Sequence, residues 1–303
     1  MKKLYFSFAF LFFLTSSWAQ KTELKLNLNV DETYIQKTES TMSIAQNVQG
    51  MEMDIDMNLT GELSYLVKSF QDGVYDMEVQ YKSMEMNMVM PQGNEMNIKS
   101  GDESNPMSKI FTNFCNVPFN LKMTQYGRIQ EISGFDKIYE KVFEELPGMS
   151  SQQLAQMKDQ VSGTFGEESL RSNLEMTIAI YPNQKVDEGD TWNVESELTS
   201  VMNVNVNSKY TYMGSDEAHH KITGNATLSS NPDAFEMNGM SVKSDLNGSI
   251  KSEILVDKTT GWVYEAKISQ VIEGATIMEG NPQMPEGMRI PMKIKSEMVF
   301  SGQ

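Results

Sequence analysis

The sequence predicts a mainly β protein. It should have long, curved antiparallel sheets, as a half-open barrel or two related β halves, with a small central helical block. Three observations predict it. Met51, Met53, Ile55, Met57 and Leu59 alternate without a break with Glu52, Asp54, Asp56 and Asn58, the period of a strand with one dry and one wet face. The pattern returns at Met84, Met86, Met88 and Met90, and again at Met292, Ile294, Ser296, Met298 and Phe300. Turn signals at Asp72-Gly73 and Thr260-Gly261 divide the long alternating runs, as hairpins require.

Residues 1–19 read as a signal peptide. Lys2 and Lys3 supply a positive start, Leu4 to Leu14 an apolar run, and Ser17-Trp18-Ala19 the small residues before cleavage at Ala19-Gln20. The apolar run is too short to span a bilayer. No later stretch approaches the ~18 apolar residues a span needs, so the mature chain is expected to carry no integral membrane segment. It is expected to be soluble, in the periplasm or secreted.

Residues 20–132 form the N-terminal β half. Leu24 to Leu28 alternates, and Thr33 to Gln46 does so more weakly. Gly50 breaks the chain before Met51, and that strand runs past Gly61 to Phe70. After Asp72-Gly73 the return strand, Val74 to Met90, ends at Pro91-Gln92-Gly93-Asn94, with Met96 to Ile98 as a short extension. Gly101 to Asn116 reads as turn-rich, then aromatic. Phe119, Leu121 and Met123 alternate again, and Tyr126-Gly127 turns into another short strand.

Residues 133–173 form the helical segment, and helix is expected nowhere else. Phe135, Ile138, Tyr139, Val142, Phe143 and Leu146 recur at helical spacing. Ser133 with Asp136 resembles a capping box, and Pro147-Gly148 stops the helix. A second helix follows Ser150 with Leu154, Met157 and Val161 on one face, and Glu167 to Asn173 reads as a third short turn. This block is a lid on a sheet or a connector between halves.

Residues 174–303 form the C-terminal β half. Val186 to Trp192 is a tight turn opening a strand from Val194 to Val206, followed by Lys209 to Met213 and Lys221 to Leu228. Met240 to Val256 and Trp262 to Ile277 flank the Thr260-Gly261 turn, and Ile290 to Phe300 is the last strand. Leu59-Thr60-Gly61-Glu62-Leu63 is echoed by Leu246-Asn247-Gly248-Ser249-Ile250, and each precedes its hairpin turn by a similar interval. A diverged internal duplication accounts for both, although hairpins share turn chemistry by necessity.

Several short motifs resemble a family of exported Bacteroidota proteins that consists of a domain of unknown function. They are Trp18-Ala19-Gln20, the strand pair at Asp72-Gly73, the segment Tyr126-Gly127-Arg128-Ile129-Gln130-Glu131-Ile132-Ser133-Gly134, and Phe165-Gly166-Glu167-Glu168 with Tyr181-Pro182 and Val186 to Trp192. The resemblance implies no function. In element order alone the chain is also similar to periplasmic lipid carriers, which fold as a half-open β-barrel with helices in its mouth.

Acidic residues number 41 against 25 basic ones. Removing Lys2 and Lys3 takes the net charge from −16 to −18. Such a field repels nucleic acid and anionic lipid surfaces, so no nucleic-acid partner is expected. Cys115 is the single cysteine; no disulfide forms within the chain, and its aromatic surroundings read as core. No nucleophile motif, phosphate loop or zinc-protease motif occurs, and the carboxylates at Asp54 and Asp56 read as a solvated strand face. No enzyme activity, catalytic residue or cofactor is expected.

The 25 methionines are the unusual component, because thioether side chains adapt to irregular apolar space. Candidate ligand-lining residues are Met53, Met57, Met77, Met86, Met88, Phe135, Tyr139, Phe143 and Met298; ordinary core explains them equally. Met84, Met86, Met88, Met90 and Met96 cluster in one hairpin and Met278, Met284, Met288 and Met292 in another. Thioethers suit Cu(I), but neighbours two apart on a strand are ~7 Å apart, too wide to share an ion, so no metal site is assigned. Two functions compete. One is a non-catalytic carrier or binding module for an apolar, lipid-like ligand. The other is a cell-envelope structural or protein-interaction module without a ligand, partnered by another envelope protein.

Overall fold

The structure, a computed structural model, describes residues 21–102, 104–115, 117–144, 166–198, 204–230, 235–237, 240–279 and 287–303. Among these residues thirteen strands form one antiparallel sheet. The first half contributes β1 (Thr33–Val48), β2 (Met51–Gln71), β3 (Val74–Val89), β4 (Glu95–Lys99), β5 (Phe119–Thr124) and β6 (Ile129–Ser133). The second contributes β7 (Thr191–Leu198), β8 (Val204–Ser215), β9 (His219–Ser230), β10 (Phe235–Met237), β11 (Met240–Asp257), β12 (Val263–Met278) and β13 (Met288–Gly302). Among the described residues three α-helices accompany them: α1 (Pro106–Cys115), α2 (Phe135–Glu144) and α3 (Glu167–Ile178). The chain is mainly β with a small helical part, as its periodicity predicts.

The strand order is β6-β5-β3-β2-β1-β13-β12-β11-β9-β8-β7, with β4 added to β3 and β10 to β11. This is an up-and-down meander whose first and last strands pair, from Gln36 opposite Gly302 to Gln46 opposite Met292. The order is that of a barrel with one break, between β6 and β7. Those two edges come close in space. Arg128, just before β6, donates from Nη2 to the Glu195 carbonyl of β7 at 3.4 Å, and α3 contacts both edges. A sheet whose ends approach each other must be curved through most of a turn. The barrel stays open because a helix occupies the position of the missing pairing.

Two hairpin turns fall where the sequence puts them. Gln49-Gly50 and Asp72-Gly73 both adopt paired positive φ (55° and 86°, 51° and 80°), the two-residue turn geometry that matches strand twist. Val194 to Val206, however, is not one strand. β7 ends at Leu198, and β8, from Val204 through the expected Lys209–Met213 strand, pairs back on it antiparallel, since alternation alone does not show where a chain reverses. Both echoed segments lie in the first strand of a hairpin, Leu59–Leu63 in β2 and Leu246–Ile250 in β11. Each hairpin returns antiparallel, β2 with β3 and β11 with β12.

Three further local expectations need correction. Helix is not confined to residues 133–173, because α1 occupies Pro106–Cys115. Asn105 Oδ1 accepts the Met107 N–H at 2.9 Å, so the turn-forming run ahead of the helix is its cap. Ile110, Phe111 and Phe114 then bury one face. Secondly, Glu167–Asn173 is not a short turn: the helix continues to Ile178, because Leu170, Leu174 and Ile178 extend one buried stripe. Thirdly, Leu24 to Leu28 is not a sheet strand. It runs across the base of the barrel as a strap. Thr22 bridges to Val186, the Leu26 N–H donates to the Gln125 carbonyl at 2.8 Å, and the Asn27 N–H donates to the Thr260 carbonyl. Its alternation is genuine, since Leu24, Leu26 and Leu28 all point into the core. The expected helix after Ser150 lies outside the described residues.

The core fills the lower barrel. Phe114, Phe119, Phe135 and Tyr139 stack through ring-centroid distances of 5.4–6.2 Å, with edge or tilted geometry. Phe111 and Ile138 are buried beside them, and each such side chain contributes roughly 1.5–3 kcal/mol on leaving water. The strands of greatest length, β1–β3 and β11–β13, continue past this plug to their tips.

Candidate functional site

The tips of β1–β4 and β13 present one apolar inner face. Strand alternation builds it. On β2, Met53, Ile55, Met57 and Leu59 are half-buried while Glu52, Asp54, Asp56 and Asn58 are exposed on the opposite side. Met51, nearest the turn, is 64% exposed on the inner side. On β1 the inner positions are Met42, Ile44 and Gln46, and on β13 they are Ile290, Met292, Ile294, Ser296 and Met298. On β3 and β4 they are Met86, Met88 and Met96. None of these inner positions is ionisable, so the acidic residues of the same strands all lie outside.

Burial separates the β1–β4 part of this surface from the rest of the inner face, whereas on β13 Ile294 and Ser296 are buried and only Ile290, Met292 and Met298 are half-exposed. Further down β2, Leu63, Tyr65 and Val67 are buried, and Tyr65 donates from its hydroxyl to Gln36 Oε1 at 2.9 Å. Burial pushes the Tyr65 hydroxyl up from its ordinary value. At the tips the same alternation gives half-exposed methionine. An open groove of about 510 Å³ between the tips of β1, β2, β12 and β13 lies instead on the charged outer side, lined mainly by Ala45, Glu52, Asp54, Glu273, Pro291 and Lys293. Under α3, by contrast, the enclosed space is about 20 Å³, lined by Val194, Tyr210, Ile250 and Ile268, room for about one water.

The candidate lining residues divide into two groups. Met53, Met57, Met86, Met88 and Met298 share the half-exposed inner face. Met57 lies directly opposite Met88, Met86 opposite Leu59, and Met298 opposite Ser40. Met77 and Phe135 are instead buried in the core, at 0% and 3% exposure. Tyr139 is half-buried against Phe135, and the Phe143 side chain lies outside the described residues. Sequence reasoning missed Met42, Ile44, Met96, Ile290 and Met292 as parts of this face. Their alternation was visible, but their meeting depends on β1 pairing with both β2 and β13.

Cys115 of α1 and the histidines of β9 lie on other elements. Cys115 is half-buried, and burial pushes its thiol up, which disfavours the reactive thiolate. His219 and His220 lie on opposite faces of β9. The His219 ring packs 4.4 Å from Tyr264, whereas His220 Nδ1 is 2.9 Å from the Tyr212 hydroxyl. Asp216 accepts the backbone N–H groups of Ala218 and His219 at 3.0 and 2.9 Å. These bonds, with Lys221 beside it, hold its carboxyl at about 2. Among the described residues no three His, Cys, Asp or Glu side chains group as metal ligands, and no helix is long and apolar enough to cross a membrane.

A family model described as a family of unknown function, DUF6263, matches residues 72–263, more than half of the chain. The chain belongs to DUF6263. The match runs from the β2–β3 turn to the start of β12, and so includes the Tyr126–Gly134 and Phe165–Trp192 segments. No curated protein matches this DUF6263 chain in sequence. Among solved structures it is similar to lipovitellin, described for its lipid–protein interactions, at 8% identity and a TM-score of 0.49 over 91% of this chain. It spans about a quarter (25%) of the lipovitellin chain. An outer membrane channel from Pseudomonas putida F1 aligns at 7% identity over 92% of this chain and 98% of its own, with a TM-score of 0.25. A DUF1329 protein from Desulfovibrio piger aligns at 10% identity over 89% and 83%, with a TM-score of 0.11. At these values none of the three bears on ligand or partner.

Proposed function

We propose that this chain is a non-catalytic binding module for an apolar, lipid-like ligand, acting outside the cytoplasm after cleavage between Ala19 and Gln20. The ligand lies along the inner face at the tips of β1–β4 and β13. One observation carries this reading: the apolar side of the alternation continues past the packed core as a half-exposed, uncharged surface rich in methionine. Methionine is flexible and polarisable, so such a surface fits varied acyl chains without a fixed pocket shape. Each methylene group that leaves water contributes about 0.8 kcal/mol, so a single chain along a strand-length surface suffices for binding. The acidic outer faces favour solubility of the module.

Native mass spectrometry of the exported protein from its own host, followed by lipid extraction, tests the proposal. A copurifying lipid, removed by extraction and replaced by a fluorescent fatty acid, is the expected result. A clean ligand-free mass with no probe uptake would sink it and leave the envelope-interaction function in its place.

A further inference from the structure

The sheet register brings together methionines that are far apart along any one strand. Met42 of β1 lies directly opposite Met57 of β2. Met57 lies opposite Met88 of β3, and Met88 lies opposite Met96 of β4. Four neighbouring strands therefore carry one unbroken row of four thioethers, all on the inner face and all half-buried. Spacing along a strand argued against a shared ion, because successive inner residues are ~7 Å apart. Spacing across the row is different. Directly opposed residues have Cβ atoms about 4.5–5.5 Å apart, and each methionine has three rotatable bonds with which to turn its sulfur toward its neighbour's.

We propose that this row is a thioether site for Cu(I). Thioethers are soft donors that select Cu(I) over the hard cations favoured by carboxylates. The row is long enough for two overlapping sets of three, Met42–Met57–Met88 and Met57–Met88–Met96. Both sets contain Met57 and Met88, so the row holds one ion at a time. Beyond Met42 the row passes to Ser296 of β13 and Gln270 of β12, whose side chains bond to each other at 3.2 Å. These are hard oxygen and amide groups that do not compete for a soft ion. The negative charge of the chain raises the local concentration of cations. The half-exposure of the row distinguishes it from Met77 and Met123, which are fully buried and out of an ion's reach. The site does not depend on lipid binding, and its test reads the metal directly.

The test uses the mature chain, anaerobic and reduced, titrated with Cu(I) against the chromophoric chelator bathocuproine disulfonate. X-ray absorption then identifies the donor atoms. One Cu(I) per chain with a sulfur-only first shell is expected. Met57→Leu or Met88→Leu should each weaken retention at least tenfold, since either removes a donor from both sets. Met42→Leu and Met96→Leu should have small effects singly, because one complete set survives. Together they should match the loss at Met57, because only two thioethers remain. Leucine conserves the volume of methionine, so these variants keep the fold, and circular dichroism checks this for each. The double variant Met53→Leu with Met298→Leu, on the same face but off the row, should retain copper. Failure to hold Cu(I) against the chelator, a nitrogen or oxygen first shell, or equal loss in the off-row double variant would each overturn the site.

Discussion

Glu175 Oε1 accepts the backbone N–H of Ile129 at 2.8 Å. One turn earlier on the same helix, Arg171 Nη1 donates to the Ile129 carbonyl at 2.9 Å. On the other side of α3, Ser172 Oγ donates to the Glu197 carbonyl of β7 at 3.1 Å. These are backbone groups of the two edge strands, which in a closed barrel would bond to each other. A helix whose side chains satisfy both edges removes the cost of unpaired backbone and covers two strand edges at once.

Glu175→Ala should therefore destabilise the fold by about 1–3 kcal/mol, since the Ile129 N–H loses a charged acceptor in a partly buried position. It also loses the Arg128 contact at 3.6 Å. Glu175→Gln keeps an acceptor oxygen and should recover much of the loss. Thermal or urea unfolding of the three proteins checks this. Equal stability of Glu175→Ala and the parent would show that the bond contributes nothing.

Gly261 has φ +67°, and a Cβ there would run into the Lys25 carbonyl of the strap. Gly50 has φ +86° with open space around it. Alanine at either position incurs roughly 1–2 kcal/mol for left-handed backbone, but only Gly261→Ala must also displace the strap. Gly261→Ala should lose measurably more in urea unfolding than Gly50→Ala. Equal losses would mean that the strap moves aside without cost.

Much of this architecture was legible because strand alternation is a property of each residue and its neighbours. The inner positions Met53, Ile55, Met57 and Leu59 could be read from β2 alone, and Asp72-Gly73 announced its turn. What was not legible depended on distant residues. Met77 and Phe135 have the same local signature as Met57 or a helical stripe, and periodicity carries no information about depth in the barrel. They lie where helices fill it; Met57 lies beyond. The pairing of β1 with β13, and hence the row from Met42 to Met96, is a tertiary register that one strand cannot encode. α1 is only ten residues long, and the turn-forming residues that cap it masked its helical stripe.

His220 gives the chain a dependence on mild acid. Burial holds its imidazole below the ordinary value, with Lys258 nearby acting in the same direction and Asp257 opposing. The unfolded chain then takes up a proton at about pH 6.5, while the folded chain does so only at lower pH. Stability therefore rises with pH across that window and is lost as pH falls through it. Unfolding midpoints should drop between pH 7.5 and pH 5.5, and His220→Gln should flatten that part of the profile. An unchanged slope in His220→Gln would assign the effect to other groups.

The two faces of β2 allow the proposed ligand surface to be tested one residue at a time. Ile55 is half-buried on the inner face and paired with Ile44 of β1. Asp56, its neighbour in sequence, is exposed on the outer face. Ile55→Glu places a charge under the expected path of an acyl chain, where a carboxylate must be desolvated for the ligand to lie down. Asp56→Asn changes charge at nearly the same height without touching the surface. Ile55→Glu should weaken uptake of a fluorescent fatty acid at least tenfold, which is about 1.4 kcal/mol, and Asp56→Asn should leave it within twofold. Circular dichroism and unfolding midpoints separate this from loss of fold, since Ile55 lies beyond the packed core. If the two variants bound the probe equally well, the inner face at the strand tips would not be where an apolar ligand sits.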